Sequence, residues 1–197
     1  MKNYFLTLIS KIEIIKDIES LMITVLQLTL NYKTINYLIL ITKLFIRRKI
    51  FFVYFIILFL NNFLFFLSHI FFFYLSRIIL TKIKNYIKQP RPYIEYENTI
   101  TYFKKRKISF SFPSQSMQSL IFIYCSFDYL FANNIFIHLY FVTLTLLLSL
   151  TRMYRGLHYP HDFIFSIFYS KIFFNLCLHT FLFFSGSQYN VNYFFLK

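Results

Sequence analysis

A histidine and an aspartate four positions apart are the residues of this sequence best suited to chemistry. His158 and Asp162 lie in the segment TRMYRGLHYPHD, residues 151–162. Residues four apart share one face of a helix. A carboxylate placed there can accept one imidazole N–H, which fixes the tautomer and leaves the other ring nitrogen available as a nucleophile or base.

The same segment also contains helix breakers and a fixed cation. Gly156 and Pro160 interrupt the helical pattern around His158, so we expect the histidine in a loop and Asp162 at the start of the next helix. Arg152, six residues before His158, supplies a permanent positive charge for an anion. The pattern predicts attack on a phosphate. The alternative is a basic interfacial loop that contains a satisfied His–Asp pair.

A second cluster, KNYIKQPRP, follows a long apolar run. Pro90 and Pro92 favour an extended backbone around Arg91. An arginine grips phosphate oxygens with a fork of N–H groups, and Lys84 adds a point charge. The alternative is that both cations reach toward lipid head groups from the end of a membrane span, as basic residues commonly do.

A third cluster is SFPSQSMQS, residues 111–119. Ser114 follows a proline and precedes an apolar run, so it is a candidate N-cap of the next helix. The free N–H groups of a helix start bind anions. The alternative is an ordinary cap, with Gln115 and Gln118 facing other helices.

The composition of the chain is that of a polytopic membrane protein. Of 197 residues, 58% are hydrophobic and 24% aromatic, and the charged fraction of 14% lies well below the roughly 25% of soluble domains. The net charge of +14 comes from basic residues between apolar runs. This favours lipid head groups or phosphate substrates as partners over nucleic acid. Cys125 and Cys177 fall inside apolar runs, so no structural disulfide is expected.

The apolar runs predict an all-α fold, an integral membrane bundle of about six transmembrane helices. The predicted spans are 21–45, 50–66, 68–86, 114–132, 135–154 and 161–184. We expect a multi-pass protein of an endomembrane or plasma membrane. Six spans put the loops 87–112 and 155–160 on the same side of the membrane, where their charged residues can meet.

The ends of the chain differ from this predicted domain, residues 21–184. Segment 1–20 has isoleucines at helical spacing and predicts an amphipathic helix on the membrane surface, with a solvated cap helix as the alternative. Residues 185–197 form a C-terminal tail that is first polar and then aromatic.

Together, the three clusters resemble the phosphatidic acid phosphatase type 2 and haloperoxidase superfamily. Its members share the patterns K-x6-RP, PSGH and SR-x5-H-x3-D, and the resemblance covers about residues 50–184. The first and third patterns are present with one Ser-to-Thr change, in Lys84, Arg91, Pro92, Thr151, Arg152, His158 and Asp162.

The resemblance implies metal-independent hydrolysis of lipid phosphates or diphosphates, without a cofactor. It implies that His158 is the nucleophile, that a phosphohistidine forms, and that Asp162 orients the ring. It also implies a set of groups that hold the phosphate oxygens: Lys84, Arg91, Arg152, Ser114 and the amide of Gln115.

The second family pattern, PSGH, is altered in this sequence. Ser116 stands at the position of the histidine that protonates the leaving oxygen, and Gln115 replaces the glycine. A serine hydroxyl is far too weak an acid to replace imidazole near neutral pH. The proton then comes from another group such as His161, or from water. For His161, a plain interfacial residue is the alternative.

This change affects the expected substrate. The alcohol that leaves a monoester has a pKa of the order of water's, ~15.7, whereas the phosphate that leaves a diphosphate has a pKa of about 6. We therefore expect lipid diphosphates to be preferred over lipid phosphate monoesters. The alternative function is a catalytically impaired family member that binds lipid phosphates or partner proteins without turnover.

Overall fold

The computed structural model describes residues 2–45, 48–98, 110–131 and 134–186. Within these ranges the chain forms helices and no strand, so the all-α prediction is confirmed. The helices are α1 (Lys2–Thr29), α2 (Tyr32–Phe45), α3 (Arg48–Asn61), α4 (Phe63–Ile87), α5 (Pro92–Glu95), α6 (Gln115–Leu130), α7 (Ile135–Tyr154) and α8 (Pro160–Ser185).

Helix α8 packs mainly against α4 and α6, and the core lies between these three helices with further side chains from α3 and α7. Large side chains such as Phe65, Phe122 and Phe174 are almost fully buried there. The outer faces of the same helices carry exposed apolar residues, among them Phe71 and Phe168. A bundle that is apolar both inside and outside suits a lipid surround, which confirms the predicted membrane bundle.

The count of six spans stays a prediction. In the described part of the chain, three stretches are long and apolar enough to cross a membrane: Phe63–Glu95, Ile135–Tyr154 and Pro160–Ser185. Helices α2 and α3 have 14 residues each and α6 has 16. A helix perpendicular to the bilayer needs about 20 residues to cross the hydrocarbon core.

Near the N-terminus the helix ends do not coincide with the limits of the predicted segments. Helix α1 continues through residue 20, and the predicted span 21–45 is broken at Leu30 and Asn31. The side chain of Asn31 accepts a hydrogen bond from Lys33 N at 3.1 Å, so this asparagine caps the start of α2 instead of continuing α1. The role of residues 1–20 on the membrane surface stays a prediction.

Asparagine also separates α3 from α4, close to the position that the sequence indicates. The side chain of Asn62 accepts from Phe65 N at 3.1 Å, and α4 starts at Phe63. The predicted spans 50–66 and 68–86 therefore place this boundary about five residues too late. The loop predicted over 87–112 contains the one-turn helix α5, which begins with Pro92; residues 99–109 lie outside the described ranges.

Serines let α6 and α8 approach closely. Ser166 and Ser170 are fully buried, and Ser170 Oγ lies 3.1 Å from Gln118 O and 2.6 Å from Ser166 O. The side-chain amide of Gln118 donates to Ser76 Oγ at 2.8 Å and so connects α6 to α4. Small residues at helix contacts allow such close packing in membrane bundles.

A bulky residue at Ser170 is expected to force α6 and α8 apart. Ser170→Leu should destabilise the fold by about 1–3 kcal/mol through overpacking. Ile172, 59% exposed on the same helix, provides the control: Ile172→Leu should leave the unfolding midpoint in detergent unchanged. Equal thermal midpoints for the two variants would contradict close packing at this contact.

Candidate active site

The residues singled out in the sequence lie at helix ends, at one end of the bundle. Lys84 lies in the last turn of α4, Arg152 in the last turn of α7 and Asp162 in the first turn of α8. Arg91 and Ser114 are the N-cap residues of α5 and α6. Helix ends carry unpaired backbone groups, so N–H and C=O groups as well as polar side chains are present at this end of the bundle.

His158 and Asp162 form a buried pair between α7 and α8. His158 Nδ1 and Asp162 Oδ2 are 3.0 Å apart, and the two side chains are 6% and 0% exposed. The same oxygen accepts from the Tyr159 backbone N–H at 3.1 Å and from the Ser111 hydroxyl. An ionised carboxylate only accepts hydrogen bonds, so His158 carries its proton on Nδ1 when neutral. Its Nε2 makes no hydrogen bond with any described residue and is the nitrogen available for chemistry.

Burial and neighbouring charge both act on this imidazole. The pKa of His158 is lowered from 6.5 to about 4: burial is the main cause, Asp162 acts in the opposite direction, and the charges of Arg91 and Lys84 add to the lowering. The ring is therefore neutral near pH 7, the state in which Nε2 can attack an electrophile.

The segment around α5 is tied to the histidine loop. Arg91 Nη1 donates to Leu157 O at 3.0 Å, and Tyr93 N donates to Gly156 O at 3.2 Å. The half-buried Arg152 is held at the start of this loop, where its carbonyl accepts from Leu157 N at 3.0 Å. These contacts bring the loops predicted at 87–112 and 155–160 together.

The start of α6 joins the same site through α8. Ser114 N donates to Ser166 Oγ at 2.9 Å, and Ser166 Oγ donates to Asp162 O at 2.6 Å. Ser114 is the N-cap residue by position, but its side chain makes no capping hydrogen bond. Its hydroxyl lies 3.4 Å from that of Ser116. The side chain of Gln115 donates to Thr81 Oγ1 at 2.7 Å, on α4.

The contacts of His161 do not suit it to donate a proton to the leaving group. Its Nδ1 lies 2.5 Å from Glu19 Oε2, and its Nε2 lies about equally close to both amide atoms of Gln89, 3.1 and 3.2 Å away. Both ring nitrogens are thus engaged with other side chains. The geometry gives no support to His161 as the acid that replaces the missing histidine at Ser116.

Sequence reasoning missed three residues of this site: Ser111, Gln89 and Glu19. Nothing in the pattern around Ser111 distinguishes its hydroxyl from those of the neighbouring serines. Glu19 could have been noticed, because burying an acid beside the apolar run of α1 costs free energy unless a partner compensates it. In the structure its partner is His161: Glu19 is 7% exposed and accepts a hydrogen bond from His161 N at 3.0 Å.

Comparison with known families finds a match for the segment that contains these residues. A family model described as the PAP2 superfamily matches residues 65–185, more than half of the chain. The chain belongs to the PAP2 superfamily. The match contains every residue of the three sequence clusters, from Lys84 to Asp162, so the predicted resemblance is confirmed. No curated protein matches the chain significantly.

Two solved structures share this PAP2 fold. The crystal structure of Aquifex aeolicus LpxE superposes with a TM-score of 0.66 at 19% identity, covering 80% of this chain and 93% of that one. The first transmembrane PAP2 type phosphatidylglycerolphosphate phosphatase from Bacillus subtilis gives a TM-score of 0.68 at 16% identity, covering 95% and 96%. At these identities the likeness establishes the fold alone.

Metal binding has no candidate site in the part of the chain that the structure describes. There, no three histidine, cysteine, aspartate or glutamate side chains converge as a set of metal ligands.

The state of His158 can be tested by its titration. In histidine-labelled protein in detergent, the ring of His158 should stay neutral as the pH falls through 6.5 and become protonated only near pH 4, because burial and the two cations oppose its charge. Nuclear magnetic resonance of the ring carbons measures this midpoint. A midpoint at or above 6.5 for His158 would contradict the described environment.

Proposed function

We propose that this PAP2 protein is an integral-membrane, metal-independent phosphatase that hydrolyses lipid phosphates or diphosphates through a phosphohistidine. The observation that carries the proposal is the buried pair of His158 and Asp162, 3.0 Å apart, with the second ring nitrogen available beside two cationic side chains. The lipid bilayer and the lipid phosphate are the proposed partners, and no cofactor is required.

In the proposed first step, His158 Nε2 attacks phosphorus and the bond from phosphorus to the leaving oxygen breaks. Asp162 accepts a hydrogen bond from Nδ1–H, which keeps the proton on the ring. Its negative charge stabilises the positive charge that develops on the imidazole. In the second step, water attacks the phosphorus of the phosphohistidine, the P–N bond breaks with its electron pair returning to Nε2, and inorganic phosphate leaves while the proton of the water passes to the phosphate or to solvent. His158 then returns to its neutral form.

The charge on the transferred phosphoryl group needs fixed positive partners in both steps. Lys84, Arg91 and Arg152 are proposed to supply them, since each lies at the end of the bundle that contains His158. Ser114 and the backbone N–H of Gln115 at the start of α6 are proposed to hold a further oxygen. Such preorganised charge is the main source of catalysis in phosphoryl transfer.

Ser116 determines the proposed substrate preference. Its hydroxyl cannot protonate a departing alkoxide near neutral pH, and His161 is engaged with Glu19 and Gln89. When His158 attacks the terminal phosphorus of a lipid diphosphate, the lipid monophosphate leaves, and this much better leaving group departs without a proton. We therefore propose lipid diphosphates as the preferred class.

The same observation supports a second candidate function. Without a proton donor for the leaving group, the site could hold a lipid phosphate and not turn it over. In that case the cations and the start of α6 would bind the headgroup, and no phosphoenzyme would accumulate.

Trapping the phosphoenzyme separates the two functions. Purified protein quenched in alkali after mixing with a polyprenyl diphosphate labelled with 32P at the terminal phosphate should retain label in an acid-labile, alkali-stable bond, as a phosphohistidine does. His158→Ala should abolish both label and phosphate release, and the exposed His179→Ala should leave them unchanged. Binding of the lipid without label or phosphate release would favour the second function, and label retained by His158→Ala would overturn the assignment of the nucleophile.

Restoring an imidazole at the acid position tests the role of Ser116. Ser116→His should raise the turnover of a labelled phosphatidate by at least about tenfold, as expected for a regained general acid. The turnover of a lipid diphosphate should change much less, because its leaving group needs no proton. The matched control is Ser116→Gln, which restores bulk without an acid. Faster hydrolysis of phosphatidate than of diphosphate by the unaltered protein would contradict the proposed preference.

A further inference from the structure

The carboxylate of Asp162 has two oxygens in different surroundings. Oδ2 accepts from His158, Ser111 and the Tyr159 backbone. Oδ1 is buried and accepts no hydrogen bond from any described residue. The ring nitrogen Nε2 of His161 lies 3.3 Å from Oδ1, at ion-pair distance but not in an aligned hydrogen bond. A buried carboxylate oxygen is costly unless positive charge compensates it.

His161 is itself fixed by the N-terminal helix. Both oxygens of Glu19 on α1 contact it: Oε1 accepts from the His161 backbone N–H at 3.0 Å, and Oε2 lies 2.5 Å from Nδ1. The Tyr159 ring stacks on the imidazole, with ring centres 5.4 Å apart and planes inclined by 12°. With a carboxylate facing each ring nitrogen, the imidazolium form is favoured.

We propose that His161 and Glu19 are positioning residues for the His158–Asp162 pair, joined in one continuous chain of side chains from α1 to the nucleophile. Glu19 orients His161, and a cationic His161 fixes Asp162 and balances part of its charge. This inference rests on the proposed function for its catalytic consequence, since it assigns to α1 a part in holding the phosphohistidine-forming ring. The effect of His161 on the protonation of His158 holds whether or not the protein is a phosphatase.

The electrostatic consequence has a definite sign. A positive charge on His161 opposes protonation of His158, so its removal should make His158 easier to protonate. The other charged groups that face the two histidines are Lys16, Glu19, Lys84, Arg91 and Asp162. Of these, Lys84 and Arg91 act on His158 in the same direction as His161, and Asp162 acts against them.

The test uses two variants of the chain and one matched control. Glu19→Gln removes the charge that holds the imidazolium, and His161→Gln removes the imidazole but keeps a polar side chain. Gln27→Ala is the control, because Gln27 also joins α1 to the rest of the bundle, through a bond of 2.5 Å to Tyr154 O, but lies two turns from Glu19. The full-length protein in detergent is used throughout, and its folding is checked by thermal unfolding.

Two measurements are made on each variant. Nuclear magnetic resonance should show the titration midpoint of His158 rising by about one pH unit in Glu19→Gln and in His161→Gln, and unchanged in Gln27→Ala. With a lipid diphosphate, kcat should fall about tenfold in the two variants with little change in KM, because neither residue touches the substrate. The double variant should be no slower than the single ones, since the two residues act as one unit.

The results distinguish this inference from the proposed function. If the His158 midpoint is unchanged in both variants, the positioning role is overturned, whatever the activity. If the midpoint rises but unaltered protein forms no phosphoenzyme, the charge chain stands and the phosphatase assignment fails. Should His161→Gln fail to fold, Glu19→Gln alone decides the matter, because its amide still accepts from the His161 backbone N–H.

Discussion

The site depends on how one buried carboxylate is satisfied. Asp162 is fully buried in the first turn of α8, where an unpaired negative charge would cost several kcal/mol. Its oxygen Oδ2 accepts three hydrogen bonds, from an imidazole, a hydroxyl and a backbone amide. Each donor comes from a different part of the local structure, so the aspartate fixes the histidine loop, the segment before α6 and the start of α8 relative to one another.

The same constraint explains why the cations lie where they do. Arg91 is bonded to the carbonyl of Leu157, directly before His158, and Lys84 lies close enough to influence the charge of that ring. Their positive charge opposes the effect of Asp162 on His158 and adds to burial in keeping that ring neutral. In the proposed reaction they gain a second partner, the phosphate, which brings its own negative charge when the substrate binds.

The sequence predicted the pairing of His158 with Asp162 better than the ends of the helices. Local signals predicted this part of the site: the spacing of His158 and Asp162, and the helix breakers Gly156 and Pro160. As expected, α8 begins between His158 and Asp162, at Pro160. The break at Asn31 and the continuous α1 were missed, because hydropathy alone does not show whether an asparagine caps a helix or interrupts a span.

Long-range partners could not be predicted. Glu19 is 142 positions from His161, and no pattern in one sequence joins an acid in an N-terminal helix to a ring in the last one. Ser111 was missed for the same reason, as its hydroxyl reaches Asp162 across 51 positions. Such contacts are determined by how distant segments of the chain pack together, and only coordinates reveal them.

The altered second pattern gives this PAP2 protein its particular interest. Ser116 removes the expected acid, while the nucleophile pair and the cations of the other two patterns are retained. In the proposed function, such a site attacks phosphorus but depends on the leaving group to depart unaided. Selection among lipid substrates would then follow from leaving-group chemistry.

The most direct test is an experimental structure of the protein with orthovanadate, which mimics the five-coordinate phosphorus of the transition state. The account predicts vanadium bonded to His158 Nε2, with equatorial oxygens contacted by Arg91, Lys84 and Arg152. Vanadate bound elsewhere, or bound at this end of the bundle without contact to His158, would contradict it.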